Sequence, residues 1–243
     1  MKGILFQEPL YNAICEGKKT MTRRVVKSRT GTFEAGKDKE TGNVLSLWGT
    51  DEAGAHVAQI KPRYKVGEIV YVKEPYIDDI ALERVFYKYD SIDVDDAIEG
   101  GFNHGWKNKL FMSESRARLF LRMTNVSCEK LSIISDDDCE KEGISEFIQG
   151  GLTVFGIEGW KSKYEPGKKP YMRFTAKLAY RELWNTINVT PKFNKTYGVY
   201  YSFPFHDEDL ENRHAIIKGT LHMCYPDPFV WVYEFEIVEL NKL

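Results

Sequence analysis

The stretch Phe229-Val230-Trp231-Val232-Tyr233-Glu234-Phe235-Glu236-Ile237 constrains the fold more than any other part of this chain. β-Branched and aromatic residues dominate it, and a period of two places Trp231, Tyr233, Phe235 and Ile237 on one face. Such a segment needs strand neighbours, so it predicts a strand that closes a sheet or barrel. The neighbours are visible. Residues 118–130 alternate as well, with Leu119, Leu121 and Met123 against Phe120, Arg122, Thr124 and Val126, which predicts a long strand partly covered on both faces. The turn Lys65-Val66-Gly67-Glu68 leads into Ile69-Val70-Tyr71-Val72-Lys73-Glu74, which Pro75 ends. Gly3-Ile4-Leu5-Phe6 and Val85-Phe86-Tyr87-Lys88-Tyr89 complete the strand set.

Three helices are expected around these strands. Glu8-Pro9 opens the first, Leu10, Ala13 and Ile14 form its apolar stripe, and Gly17 stops it. Ser135 caps the second, and Asp136, Asp137 and Asp138 sit in its first turn, where acids favour the helix dipole. Gly143 ends it. Glu142 falls in the last turn, where a negative charge is mildly unfavourable, so the helix itself gives no reason for it. Residues 174–187 form an amphipathic helix with Leu178, Arg181, Leu183, Trp184 and Ile187, and Trp184 reads as core. Three loop-rich excursions interrupt this framework, near 28–64, 145–172 and 189–228. The first holds a candidate strand at 44–48 and the second a candidate hairpin at 152–157. In the third, Tyr197, Tyr200, Tyr201 and Tyr225 with Phe203-Pro204-Phe205 are either a packed lobe or a platform for stacking bases, the lobe being favoured.

The chain has 243 residues, 42% hydrophobic and 29% charged, enough to bury a real core as one domain spanning 1–243. A net charge of −2 argues against a cation-coated binder of duplex DNA. Local charge is more telling: residues 13–29 are net +5 and residues 132–146 net −5. These blocks either face each other across one site or lie on separate solvated faces. Cys15, Cys128, Cys139 and Cys224 have no metal spacing and read as reduced thiols. The apolar run in MKGILFQEPL is too short for a signal peptide, and no run approaches the roughly 20 apolar residues that span a membrane. A cytoplasmic protein with no cofactor, no metal and no membrane partner is expected. The histidines are scattered, with no zinc pattern, no phosphate-cradling glycine loop and no internal repeat.

One stretch carries chemistry. Gly17-Lys18-Lys19-Thr20-Met21-Thr22-Arg23-Arg24 places four cations and two hydroxyls in eight residues, just past a helix end. It is either a solvated basic loop or a nucleophile beside a base. Lys73 and Glu74, at the end of their strand, either line a site or form an exposed ion pair.

Together these blocks resemble the ASCH domain family of the PUA-like superfold. The residues that carry the likeness are Met1 to Phe6 with Pro9, Ala13-Ile14 through Gly17-Lys18-Lys19-Thr20-Met21-Thr22-Arg23-Arg24, Val66-Gly67-Glu68 into Glu74, Ala117-Arg118-Leu119 into Val126, Leu131 through Glu142-Gly143-Ile144, Leu183-Trp184-Asn185-Thr186-Ile187-Asn188, and Pro228 to Phe235. They cover a little under half the chain, and the layout is similar to longer family members common in bacteriophages and prophages. The resemblance implies an α+β, PUA-like fold: a mostly antiparallel β-barrel with flanking helices, here carrying large insertions. It implies a cleft for a modified nucleoside or RNA. One branch removes the acetyl group of N(4)-acetylcytidine with a lysine, a threonine and a glutamate, which fall on Lys19, Thr22 and Glu142. The arginine after that threonine falls on Arg24. Lys19, Thr22 and Glu142 are therefore the expected catalytic residues, and Arg23, Arg24, Lys73, Glu74 and Arg118 the expected substrate-binding ones. A non-catalytic RNA-binding module, a nuclease on the same fold and a phage protein acting on a host partner are the alternatives. The chain departs from that branch in being more than twice as long, in its insertions, and in having Ser113-Glu114-Ser115 where phage-type members usually carry Pro-Arg-Trp.

Overall fold

The alternating segments do pair with one another. The computed structural model describes residues 1–26, 33–37, 44–50, 56–79, 84–90, 105–160, 173–195, 198–205, 213–217 and 219–239. In chain order the strands are β1 (Lys2–Leu5), β2 (Met21–Val25), β3 (Phe33–Lys37), β4 (Val44–Thr50), β5 (His56–Ile60), β6 (Ile69–Lys73), β7 (Tyr76–Asp79), β8 (Arg84–Tyr87), β9 (Phe120–Lys130), β10 (Ser145–Gln149), β11 (Leu152–Gly156), β12 (Lys192–Asn194), β13 (Val199–Ser202), β14 (Arg213–Ile217), β15 (Thr220–Cys224) and β16 (Phe229–Ile237). The helices are α1 (Glu8–Cys15), α2 (Asp136–Lys141) and α3 (Ala176–Asn188). The protein is thus a mixed α+β fold, mostly strands with few helices.

The central sheet has the order β1-β6-β9-β16-β2. β1 runs parallel to β6, with Leu5 opposite Lys73, and the other pairs are antiparallel. β9 and β16 form its long middle, and their register shifts where β9 passes from Asn125 to Met123 against Glu234 and Phe235. The strand of residues 229–237 is covered on both faces. Tyr233 and Phe235 are buried from one side, Val230 and Val232 from the other, and only the far end differs from expectation, Ile237 being 46% exposed.

The expected barrel is corrected here: among the described residues the sheet is open, with β1 and β2 as its two edges. Closure would need a backbone ladder between these edges. Instead a side chain crosses, Arg24 donating from Nη2 to the Leu5 carbonyl at 2.7 Å. Helix α1 links the two edge strands and buries Leu10, Tyr11, Ala13 and Ile14. One core unites the sheet with all three helices and also takes in Ile157, Trp160 and Phe205.

The three excursions contain regular structure. Residues 33–60 include the antiparallel sheet β3-β4-β5, anchored by fully buried Leu47 against Val26 and Cys128. The hairpin expected at 152–157 lies earlier: Leu152–Gly156 is only its second strand, β11, paired with β10 and turned by Gly150 and Gly151, which both have positive φ. The 189–228 excursion is a packed lobe, the four-stranded sheet β12-β13-β15-β14, in which the rings of Tyr201, Phe203 and Tyr225 stack on one another. Residues 91–104, the end of the second excursion at 161–172, and Tyr197 lie outside the described residues.

Candidate active site

Local signals place the basic stretch. Gly17 follows the end of α1 with φ 73°, and its N–H donates to the Ile14 carbonyl, so the chain reverses sharply. Lys19 then donates its N–H to Ala13 O and forms an antiparallel bridge with Glu142. From Met21 the stretch is strand, not loop, which corrects the expectation of a basic loop. Strand alternation divides its side chains. Thr22 and Arg24 stand opposite Tyr233 and Trp231, while Arg23 points to the other face opposite Val232.

On the facing side Ser135 caps α2 by accepting the Asp138 N–H at 3.1 Å. Glu142 is the C-terminal cap residue, and Gly143 follows with φ 99°. A β-carbon at residue 143 would stand 3.3 Å from Lys19 Cβ and 3.4 Å from Ala13 Cβ. The glycine therefore lets the helix end come against the lysine. The unfavourable position of Glu142 in the helix dipole is overridden by what it meets.

Lys19 Nζ donates to Glu142 Oε2 at 2.6 Å and to the Glu142 carbonyl at 2.8 Å, and both residues are buried. The Lys19 amine is held below its ordinary range chiefly by burial. Glu142 opposes that shift, and Arg24 and Arg23 add to it to a lesser degree. The cause is thus mainly desolvation rather than neighbouring cations. Arg23 reaches Glu142 Oε1 at 3.5 Å. Its firmer bonds are to Glu129 Oε1, at 2.7 and 3.0 Å, and to Asp138 Oδ2 at 2.7 Å. With three carboxylates around it, Arg23 fixes the position of Glu142. The basic and acidic blocks meet here, through Lys19 with Glu142 and Arg23 with Asp138. Lys27 and Arg29 of the basic block lie outside the described residues.

Lys19, Thr22, Arg23, Arg24 and Glu142 all line one cavity of about 830 Å³. It opens where the sheet fails to close, with Gly3 to Phe6 on one side and Thr22 to Val25 on the other. The size is that of a small-molecule pocket, which spans roughly 300–1,000 Å³. The Thr22 hydroxyl makes no hydrogen bond to a described residue although Thr22 is only 4% exposed. Among the described residues lining the cavity, Glu142 is the one carboxylate. Arg24 is half-buried, lies over the Phe6 ring at 5.1 Å and has no carboxylate partner among the described residues.

The remaining expected residues separate. Lys73 lines the cavity, with its ammonium on the Leu110 carbonyl at 2.8 Å. Glu74 does not line it. This glutamate is fully buried and takes a two-pronged bond from Arg118, Nε and Nη2 both at 2.8 Å, with the Tyr11 hydroxyl at 3.1 Å. Arg118 also pairs with Asp90 and lies over the Tyr87 ring at 4.1 Å. Glu74 and Arg118 therefore form a second cluster, and the exposed Lys73–Glu74 pair does not exist. Burial, and after it Glu74, pushes the Tyr11 phenol up; burial acts downward on the Arg118 guanidinium, but its bonds to Glu74 and Asp90 outweigh that and hold it up.

Two lining residues carried no warning in the sequence. Tyr180 of α3 is 2% exposed, its hydroxyl has no hydrogen-bond partner among the described residues, and burial pushes its pKa well up. Its i, i+4 spacing to Trp184 marked only a helix face. Lys109 is the other, in the short 3-10 helix Lys109–Phe111. Among the described residues no group of His, Cys, Asp and Glu is arranged to hold a metal ion, and no helix is long and apolar enough to cross a membrane.

Compared with family models, with curated proteins and with solved structures, the chain matches none.

Proposed function

We propose that the cavity is the active site of an amidohydrolase that removes an acyl group from the N4 amine of a cytidine-type base, on a PUA-like fold of the ASCH type. One observation carries this: a buried Lys19–Glu142 pair and a buried Thr22 hydroxyl without a partner line the same ligand-sized cavity. Amide hydrolysis needs a nucleophile, a proton carrier and a site for the developing oxyanion.

Thr22 Oγ1 attacks the acyl carbon, and its proton passes to the neutral Lys19 amine, whose availability burial increases. The ammonium that this leaves on Lys19 stabilises the oxyanion of the tetrahedral intermediate. Lys19 returns the proton to N4, the C–N bond breaks, and free cytidine leaves an acyl ester on Thr22. Water, deprotonated by Lys19, then attacks the ester, releasing the carboxylic acid and restoring the hydroxyl. Glu142 orients the Lys19 ammonium and accepts a hydrogen bond from the leaving amine.

The rival is a non-catalytic RNA-binding module, favoured by the cations of the cavity wall. A pocket of about 830 Å³ suits a single nucleoside better than a strand tracked along a groove. The deciding experiment incubates the protein with N(4)-acetylcytidine and follows free cytidine. Turnover is expected in the wild type, with losses of about 10²–10⁴-fold in Lys19→Ala, Thr22→Ala and Glu142→Ala. Absence of turnover on any N4-acyl group, together with salt-sensitive RNA binding, assigns the protein to the rival.

A further inference from the structure

Three further cations of the cavity wall, Arg24, Lys73 and Lys109, are held by neutral groups. Arg24 donates to the Leu5 carbonyl at 2.7 Å, and Lys109 donates to the next carbonyl, Phe6, at 2.7 Å. Lys73 is the register partner of Leu5 and donates to the Leu110 carbonyl at 2.8 Å, beside Lys109 in sequence. A β-carbon on Gly3 would lie 2.3 Å from Lys73 Cε, so the bare glycine makes room for that side chain across β1. Tyr89 supplies a hydroxyl to Lys109 at 3.2 Å.

Every one of these partners is neutral. Among the described residues none of the three cations has a carboxylate, whereas Lys19 and Arg23 are matched by Glu142, Glu129 and Asp138. Half-buried like charges held together without a counter-ion are costly. Burial pushes the Lys109 amine below its ordinary range, and the neighbouring Arg24 pushes the same way. An anion in the cavity that all three line would supply that counter-charge. Carbonyl bonds occupy only part of each donor set: a lysine has three N–H groups and an arginine five. The remaining donors of three side chains match the several oxygens of a phosphate.

We propose that Arg24, Lys73 and Lys109 form a phosphate subsite, so that the ligand of this cavity is a nucleotide rather than a free nucleoside. Only the identity of the base rests on the amidohydrolase reading. A mononucleotide and the backbone of an RNA chain both offer such a phosphate, and the subsite is assigned to the mononucleotide because the cavity has the volume of a small ligand.

Calorimetric titration of the full chain with cytidine, cytidine 5′-monophosphate and a short single-stranded oligocytidylate tests this directly. The monophosphate is expected to bind at least about tenfold more tightly than cytidine, and the ratio to fall below about threefold in Lys109→Gln. Thermal melting of Lys109→Gln confirms that the variant is folded. Equal affinity for nucleoside and nucleotide overturns the proposal, as does an unchanged ratio in the variant or no binding of either. Binding of the oligonucleotide without binding of the mononucleotide also overturns it and gives the cations to an RNA backbone. A parallel assay compares kcat/KM for N(4)-acetylcytidine 5′-monophosphate and the unphosphorylated nucleoside. A nucleotide preference in binding with no hydrolysis of either substrate leaves the phosphate subsite standing and removes the amidohydrolase.

Discussion

At the scale of single residues, Lys19 and Glu142 depend on each other. Both are buried, and 123 positions separate them in the chain. Removing one partner of a buried pair leaves the other charge uncompensated. Glu142→Ala is expected to lower unfolding free energy by about 3–5 kcal/mol, read from urea titration. A loss under about 1 kcal/mol would mean that the pair is not closed in the folded protein. Lys19 also sets a pH dependence. The amine must be neutral to accept the Thr22 proton, so kcat/KM rises with pH through its pKa, below the usual lysine value of about 10.4. Arg24 contributes to that lowering. In Arg24→Gln the removed positive charge lets the lysine pKa rise, and the rising limb moves to higher pH. A limb that stays put, or moves to lower pH, removes Arg24 from the electrostatics of Lys19. Arg23 acts differently from Arg24 although both line the cavity, because Arg23 is bonded to Glu129 and Asp138 and Arg24 to the Leu5 carbonyl.

At the scale of elements, the site is where two chain ends of helices are brought together. α1 ends at a left-handed Gly17 and hands the chain to Lys19, while α2 ends at Glu142 and a left-handed Gly143. Both stops were legible, since a glycine just past an apolar stripe and a serine before three acids act within a few residues. The consequence for Gly143 was not legible: its bare Cα faces Lys19, a residue from another part of the chain. Gly143→Ala is expected to cost about 1–2 kcal/mol from the left-handed backbone alone, measured by thermal unfolding. Crowding against Lys19 should reduce turnover as well. Full turnover in a folded Gly143→Ala protein would show that the helix end can retreat without disturbing the lysine. β2 shows the opposite case. Its Thr22, Arg23 and Arg24 look like the end of a basic loop, because a hydroxyl and two cations outweigh Met21 and Val25 in so short a strand. Its strand form comes from the ladder with β16.

At the scale of the whole molecule, the 189–228 excursion is part of the structure that carries the cavity. Trp184 Nε1 donates to the Phe203 carbonyl at 2.7 Å, and Asn185 bonds the backbone of Phe205 at 2.7 and 3.0 Å. Phe205 is 1% exposed and belongs to the main core. Phe205→Ala is expected to cost about 3–5 kcal/mol and to shift the unfolding of the entire chain. A variant in which tryptophan fluorescence reports an early partial transition, with the core unchanged, would mean that the lobe is a separate unit.

The sequence by itself determined most of what is local. Alternation announced β9 and β16, β-branched and aromatic content announced β6, and capping chemistry bounded α1 and α2, because each of these signals is decided by neighbours along the chain. It also singled out Lys19, Thr22 and Glu142, through a motif resemblance and through an acid that its own helix does not favour. Only the tertiary structure decided that Lys19 is buried, that Arg23 reaches Glu142 while Arg24 bonds the Leu5 carbonyl, and that Glu74 and Arg118 form a cluster of their own. It also decided that the sheet stays open at the point where Thr22, Arg24 and Lys109 line the wall. Burial and charge pairing depend on which strands become neighbours in space, and partners more than a hundred residues apart leave no periodic trace in the chain.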